Sequence, residues 1–136
     1  MDRRLIFLIF TTIFWGIWGL AQKKAATAMN PFLVMMVQNL LIFIIVTTIA
    51  AYFKPSFNGA GIFWAVIGGL SSCLAMILFL FAIIDTRAAI AQAITAGYPV
   101  VTMILAYLLI GETITWIEGL GMAMVMGGVT LLSWRV

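Results

Sequence analysis

The segment FLVMMVQNLLIFIIVTTIAAYF, residues 32–53, decides the fold class of this chain because it is strongly apolar and contains no charged side chain. A helix needs about 20 residues to cross the hydrocarbon core of a bilayer, and this run is that long. The segment therefore predicts a transmembrane helix.

Four further apolar runs lie on either side of it, and only the last holds a charged residue, Glu118. Each is long enough to cross a bilayer, the first only just. The segments between the runs are short, so consecutive helices should be antiparallel neighbours. We expect a single domain over residues 1–136, an all-α integral membrane protein with a five-transmembrane-helix bundle. The predicted spans are 5–21, 32–53, 62–84, 88–110 and 114–134.

The composition agrees with this fold class. Hydrophobic residues make up 65% of the chain and charged residues 8%, whereas a soluble domain has about 25% charged residues. So few charges cannot cover a surface exposed to water.

Asn30 and Pro31 mark a helix start as N-cap and first helical residue. Trp15 and Trp18, with two lysines after the first run, favour a retained span over a cleaved signal peptide.

Several function classes are disfavoured by the residues the chain lacks. Cys73 is the only cysteine and histidine is absent, so neither a disulfide framework nor a metal centre can be assembled. We expect no cofactor and no catalytic residue, because the spans offer no acid, base or metal ligand at depth. The net charge of +3 is scattered, whereas nucleic-acid binding needs a concentrated basic patch.

The basic residues give no clear orientation in the membrane. With the N-terminus inside, Arg3, Arg4 and Lys54 face the cytoplasm, and the other side holds Lys23, Lys24, Arg87 and Arg135. This balance shows no positive-inside bias. Three interpretations stay open: insertion in one direction for other reasons, dual topology with an antiparallel homodimer, and pairing with a partner chain of opposite bias.

The segment YPVVTMILAYLLIGETITWIEGLGMAMVMGGVTLLSW, residues 98–134, resembles the end of an EamA-like domain of the drug/metabolite transporter superfamily. The resemblance rests on a proline in the fourth span, a Gly–Glu pair closing it, and glycines seven apart in the fifth. These are Pro99, Gly111–Glu112, Gly121 and Gly128–Val129, and Trp15–Gly16 of the first span fits as well.

Most members of that family carry two such domains and ten helices, so the resemblance implies a half-size transporter that forms a ten-helix dimer. The chain departs from related proteins at two places. Gln38 and Asn39 stand in the second span, where many members have an arginine. The first span has no acidic residue, unlike the related small multidrug exporters, which disfavours carboxylate-based proton antiport.

Polar and aromatic residues inside the spans are the candidates for substrate binding. Those of the first and fourth spans recur at helical spacing and share one face of each helix. The simpler alternatives are helix–helix contact for isolated hydroxyls such as Thr11, Thr48 and Ser72, bridging of two helices by Asn39, and interfacial anchoring for tryptophan. The candidate binding residues are Trp15, Trp18, Gln38, Asn39, Gln92, Thr95, Tyr98 and Thr102.

Gly97 and Pro99 predict a weak point in the fourth helix. Proline has no N–H, so the carbonyl of Thr95 loses its intrahelical donor, and the glycine loosens the helix further. Backbone freed at membrane depth is tolerated where it is buried in protein or lines a cavity. The pair is therefore a static kink or a hinge beside the translocation path.

Small residues in the fifth span predict close backbone approach and hence the dimer contact. Glu112 and Glu118 flank the start of that helix, where negative charge is favourable, which favours a structural role. The predicted contact residues are Gly119, Gly121, Ala123, Gly127 and Gly128.

The leading hypothesis is a secondary transporter or exporter of small molecules, such as metabolites, amino acids or drugs, working by alternating access as a homodimer. The lack of charge in mid-span favours neutral, zwitterionic or aromatic-compatible cationic substrates. The alternative is a non-transporting membrane subunit, or one half of a heteromeric transporter. We expect a multi-pass protein of a prokaryotic cell membrane, whose partners are a small molecule and the lipid bilayer.

Overall fold

The computed structural model describes residues 2–134, and within that range all regular structure is helical. Arg135, one of the residues counted in the charge balance, lies outside the described residues. The helices are α1 (Arg3–Ala28), α2 (Pro31–Phe53), α3 (Gly59–Asp85), α4 (Ala88–Thr95), α5 (Tyr98–Ile110) and α6 (Trp116–Ser133).

Five helical segments are long and apolar enough to cross a membrane, counting α4 and α5 together as Ala88–Ile110. This is the number predicted. Helix α1 extends to Ala28 and includes Lys23 and Lys24, which the sequence placed in the connection after the first apolar run.

Local chemistry sets the start of α2. The side chain of Asn30 accepts a hydrogen bond of 2.9 Å from the backbone N–H of Phe32, and Pro31 occupies the first helical position. Both features were predicted, and both are confirmed. The cap satisfies a backbone donor that the helix itself leaves without a partner.

The fourth span is interrupted where Pro99 predicts a weak point. Helix α4 ends at Thr95 and α5 begins at Tyr98, with Ala96 and Gly97 between them in right-handed helical conformation. The N–H of Gly97 donates to the carbonyl of Ile94 at 3.2 Å, so the interruption is a tight turn rather than a loop. The choice between a static kink and a hinge stays a prediction.

The described part of the chain divides into two compact units. The first comprises the residues up to Leu20 and from Thr86, and the second comprises Ala21–Asp85. In the first unit, α6 packs against α4 and α5. Gly97 faces α6, because an added Cβ there would lie 3.5 Å from the sulfur of Met126 and 3.6 Å from Cγ2 of Val129.

The core of the second unit lies where α1 ends, α2 begins and α3 ends. Its buried apolar residues come from those helix ends, and no residue between Met36 and Leu78 is buried. The rings of Phe32 and Phe81 meet edge to face, with centroids 5.9 Å apart. The buried apolar side chains are Ala26, Val34, Met35, Phe79, Leu80 and Ile83.

Lys23 joins the end of α1 to the end of α3. Its ammonium donates to the carbonyls of Ile83 at 2.8 Å and Ile84 at 2.6 Å. Carbonyls in the last turn of a helix have no intrahelical partner and carry partial negative charge, so a lysine there is stabilising. This contact explains how a charged residue is accommodated on α1 beside an apolar core.

Candidate functional site

Two of the predicted binding residues form an aromatic pair in the first unit. The rings of Trp15 on α1 and Tyr98 on α5 have centroids 6.0 Å apart and planes inclined at 69°. This is the edge-to-face arrangement that aromatic rings prefer. Trp15 is 54% exposed and Tyr98 51% exposed, so each ring keeps surface that a ligand can contact.

The side chain of Gln92, on α4, lies against α1 one helical turn after Trp15. A Cβ added to the buried Gly19 would lie 2.7 Å from both Cγ and Cδ of Gln92, so the glutamine packs directly on the glycine. The Nε2 atom of Gln92 is buried and has no hydrogen-bond partner. Sequence reasoning missed Gly19, although its position four residues after Trp15 places both on one face of α1.

The candidate threonines of the fourth span use their hydroxyl protons within their own helices. Thr95 Oγ1 donates to the carbonyls of Ala91 and Gln92 at 3.1 and 3.0 Å, and Thr102 Oγ1 donates to that of Tyr98 at 3.3 Å. Such back-bonding leaves only acceptor lone pairs available to a ligand.

The hydroxyls expected to join neighbouring helices behave in the same way. Thr11, Thr48 and Ser72 donate to carbonyls three or four residues earlier in their own helices. Because a carbonyl one turn back is within reach of a helical hydroxyl, these donors are used within their own helices, and their role in helix–helix contact stays a prediction.

Gln38 and Asn39 belong to the second unit, where they differ in environment. Gln38 Oε1 accepts a hydrogen bond of 2.9 Å from Nε2 of Gln22, which also lies 3.4 Å from the sulfur of Met76. Gln22 is fully buried, and its Oε1 has no hydrogen-bond partner. Asn39 is exposed, so the polar bridge between helices is made by Gln22 and Gln38.

Trp18, another predicted binding residue, lies half-buried in the first unit.

A groove of about 350 Å³ runs along the first unit between α5 and α6. Its apolar wall includes the side chains of Met103 and Met122, and it also contains the predicted residues Tyr98, Pro99 and Thr102. At one end it reaches the 111–115 connection, where Glu112 and Glu118 contribute to the lining. Among residues 2–134, no lysine or arginine lines this groove.

The two carboxylates of the groove are held differently. Glu118 Oε2 accepts from the N–H of Thr115 at 2.8 Å and from its hydroxyl at 2.7 Å, which forms a capping box at the start of α6. The structural role expected for Glu118 is confirmed. Glu112 follows Gly111, which has a left-handed φ of 69°, and its side chain makes no hydrogen bond or ion pair with residues 2–134.

The small residues predicted for the dimer contact lie on open surface of α6. A Cβ added to Gly119, Gly121, Gly127 or Gly128 would meet no atom within 4 Å, and Ala123 is exposed. Packing within the described chain therefore does not require these residues to be small. Their role in a dimer stays a prediction.

No group of three or more histidine, cysteine, aspartate or glutamate side chains that could hold a metal ion lies within residues 2–134.

Comparison with known protein families gives a match to nearly the whole chain. The model of the EamA-like transporter family matches residues 3–134, which is nearly the whole chain. No curated protein and no solved structure shows significant similarity to it.

Proposed function

This chain belongs to the EamA-like transporter family, and we propose that it is a secondary transporter that moves small molecules by alternating access as a dimer. The observation that carries the proposal is the family match over residues 3–134, which contain five helices of membrane-spanning length and hydropathy. Together these make it an integral multi-pass membrane protein of a transporter family rather than of an enzyme family. The membrane we propose for it is the cell membrane of a prokaryote.

The proposed substrate contact is the aromatic pair with its polar neighbour. Trp15 and Tyr98 offer half-exposed ring surface. Gln92 of α4 supplies an amide, and its side chain lies against Gly19, one turn after Trp15 on α1. Apolar and aromatic walls with a few polar groups are the usual composition of a small-molecule site. The remaining candidates of the first unit are Trp18, Thr95 and Thr102. Gln38 and Asn39 belong to the second unit and stay candidates by themselves.

The proposed moving element is the interruption of the fourth span. The missing N–H of Pro99 and the short turn at Ala96 and Gly97 weaken the helix at one place. A change in the angle between α4 and α5 would move Tyr98 relative to Gln92, so that opening and closing would alter the substrate contact itself.

A transport assay tests this site. The protein is reconstituted in liposomes, and uptake of a panel of amino acids, metabolites and drugs is compared with that of protein-free liposomes. We expect the Trp15→Ala and Gln92→Ala variants to lose most of the uptake seen for the wild-type protein, while Trp64→Ala, at the start of α3, keeps it. Equal uptake by all three variants would remove Trp15 and Gln92 from the site, and no uptake by the wild type would sink the transporter proposal.

Two observations support the proposed dimer. The exposed Asn39 lies about 12 Å along α2 from its start, and an amide facing lipid at that depth is unfavourable. The open small-residue surface of α6 allows a second backbone to approach closely. A partner subunit could cover both. The near balance of basic residues supports an antiparallel arrangement of two copies, which would give a ten-helix transporter.

Reporter fusions at the C-terminus test that arrangement. One reporter is active only in the cytoplasm and the other only outside it. Signal from both reporters is expected for dual topology, because copies would insert in both directions. Signal from only one would exclude the antiparallel homodimer and would favour pairing with a different chain or a parallel assembly.

A further inference from the structure

The second unit is packed at one end only. Its buried residues all belong to the end of α1, the start of α2 and the end of α3, and we call these three segments the packed end. They are Gln22, Ala26, Val34, Met35, Phe79, Leu80 and Ile83. Between Met36 and Leu78 no residue is buried, so α2 and α3 present largely exposed surface along the rest of their length. The unit is therefore closed at one end of its helices and open beyond it.

Two consecutive residues of α1 tie the packed end together. The ammonium of Lys23 donates to the carbonyls of Ile83 and Ile84 at the end of α3, at 2.8 and 2.6 Å. Nε2 of Gln22 donates to Oε1 of Gln38 on α2 at 2.9 Å. This second contact lies about 10 Å along α2 from its start. The end of α1 is therefore hydrogen-bonded to both α2 and α3.

The Lys23 contact can break without leaving a charge buried and unpaired. Its acceptors are carbonyls of the last turn of α3, which carry partial negative charge but no formal charge. Breaking a buried ion pair, by contrast, is strongly destabilising because it leaves an uncompensated charge. Lys23 is only partly buried, and its flexible side chain lies near a helix end, so water can replace the carbonyls. The contact is therefore suited to repeated breaking and re-forming.

Gln22 opposes the closed arrangement. Its side chain is fully buried, and its Oε1 has no hydrogen-bond partner among residues 2–134. A buried acceptor without a donor is less stable than the same acceptor in water. Separation of the helix ends would bring this oxygen into contact with water and remove the cost. Lys23 therefore favours the closed packed end, and Gln22 favours an open one.

Opposing contacts of this kind suit an element that alternates between two arrangements. We propose that the packed end is a gate at one face of the membrane, which opens when the end of α3 moves away from α1 and is held closed by Lys23. Opening would expose the amides of Gln22 and Gln38 from that face. The word gate rests on the proposed transport function, which the inference deepens by assigning one of its moving contacts to Lys23.

Thiol labelling measures how often the packed end opens. In a background with Cys73→Ser, which removes the only cysteine, Val34→Cys puts a thiol at a position that is 3% exposed. A sulfonated maleimide in maltoside micelles reacts with this thiol only when the position opens to water. We expect Lys23→Met to speed the labelling at least about tenfold, which corresponds to about 1.4 kcal/mol. If Val34→Cys lowers the unfolding temperature, Ala26→Cys, 5% exposed on α1, gives the same comparison.

Three variants assign the effect to the Lys23 contact. Lys23→Arg should keep the labelling slow, because a guanidinium also offers several N–H donors to the carbonyls. Lys24→Met, at the exposed lysine that follows on α1, should leave the rate unchanged. Ala91→Cys, 6% exposed in the first unit, reports opening elsewhere in the protein. Lys23→Met should change the labelling rate of that thiol less than about twofold, because local opening is specific to a region.

Three results would overturn the proposal: no faster labelling of Val34→Cys with Lys23→Met, the same acceleration with Lys24→Met or Lys23→Arg, or equal acceleration of Ala91→Cys, which would indicate a general loss of stability. The labelling needs no transport. Tenfold faster labelling confined to the packed end, in a protein with no uptake in liposomes, would sink the transporter proposal alone. Uptake by the wild type without such acceleration would sink this inference alone.

Discussion

Replacing Gly19 with alanine should displace the side chain of Gln92. The new methyl group would overlap Nε2 of Gln92 and would lie 2.7 Å from Cγ and Cδ of the same side chain, whereas non-bonded carbon atoms are most stable at about 3.5–4.0 Å. The shortfall is about 1 Å. The obstructing atoms belong to a flexible side chain, so we expect Gln92 to adopt another rotamer and leave its position against α1.

The magnitude follows from comparison with Gly16, three residues earlier on the same helix. A Cβ added to Gly16 would meet no atom within 4 Å. Both substitutions replace glycine by alanine in a helix and share whatever gain in helix propensity this brings. Only Gly19→Ala adds an overpacking cost, about 1–3 kcal/mol. The difference in unfolding free energy between the two variants should therefore be about 1–3 kcal/mol, with Gly19→Ala the less stable.

Reversible denaturant unfolding in detergent micelles, followed by circular dichroism, measures this difference. The double variant with Gln92→Ala removes the obstructing atoms, so a double-mutant cycle should give a coupling of about 1–3 kcal/mol. Equal stability of the Gly19→Ala and Gly16→Ala variants, with no coupling to Gln92, would refute the contact. If Gln92 has the proposed role in transport, Gly19→Ala should also lower uptake while Gly16→Ala does not.

Three further substitutions test local contacts by the same unfolding measurement. Lys23→Met removes two charge-assisted hydrogen bonds to the end of α3 and should cost about 1–3 kcal/mol. Gly111→Ala forces a residue with a Cβ into a left-handed conformation at φ 69° and should cost about 1–2 kcal/mol. Thr115→Ala removes the N-cap of α6 and should cost about 1 kcal/mol.

Each of these has a control nearby. Lys24→Met changes an exposed lysine on the same helix, Gly59→Ala adds a Cβ in open space, and Thr113→Ala changes a threonine two residues before the cap. The free energy of unfolding of all three control variants should stay within about 0.5 kcal/mol of that of the wild type. If a control substitution lowered the free energy of unfolding as much as its test variant, the named contact would not be the cause of the loss in stability.

The glutamines illustrate the limit of sequence reasoning at the candidate site. Spacing alone predicts that Gln92 shares a face of its helix with Thr95, Pro99 and Thr102, but it does not say what that face contacts. The structure puts Gln92 on Gly19, and it pairs Gln38 with Gln22 rather than with its neighbour Asn39. Partner choice depends on how far each helix is rotated about its axis, and packing against other helices sets that rotation.

The threonines show a related limit. A hydroxyl in a helix can donate to a neighbouring helix or to its own backbone, and the residue type is the same in both cases. The structure resolves this for Thr95 and Thr102 in favour of their own helices. Glu112 and Glu118 looked equivalent in sequence as acids before the last helix. Only the fold separates a carboxylate used in a capping box from one left at the end of a groove.

The sequence by itself determined the membrane class, the five spans, the cap at Asn30 and Pro31, the weak point at Pro99 and the family. These properties follow from hydropathy, backbone chemistry and short motifs, which act over a turn or two of chain. Only the tertiary structure decided that Trp15 meets Tyr98, that Lys23 caps α3, and that Glu112 faces a groove. Those contacts join residues far apart in the chain, and their geometry is fixed by helix packing that no local pattern encodes.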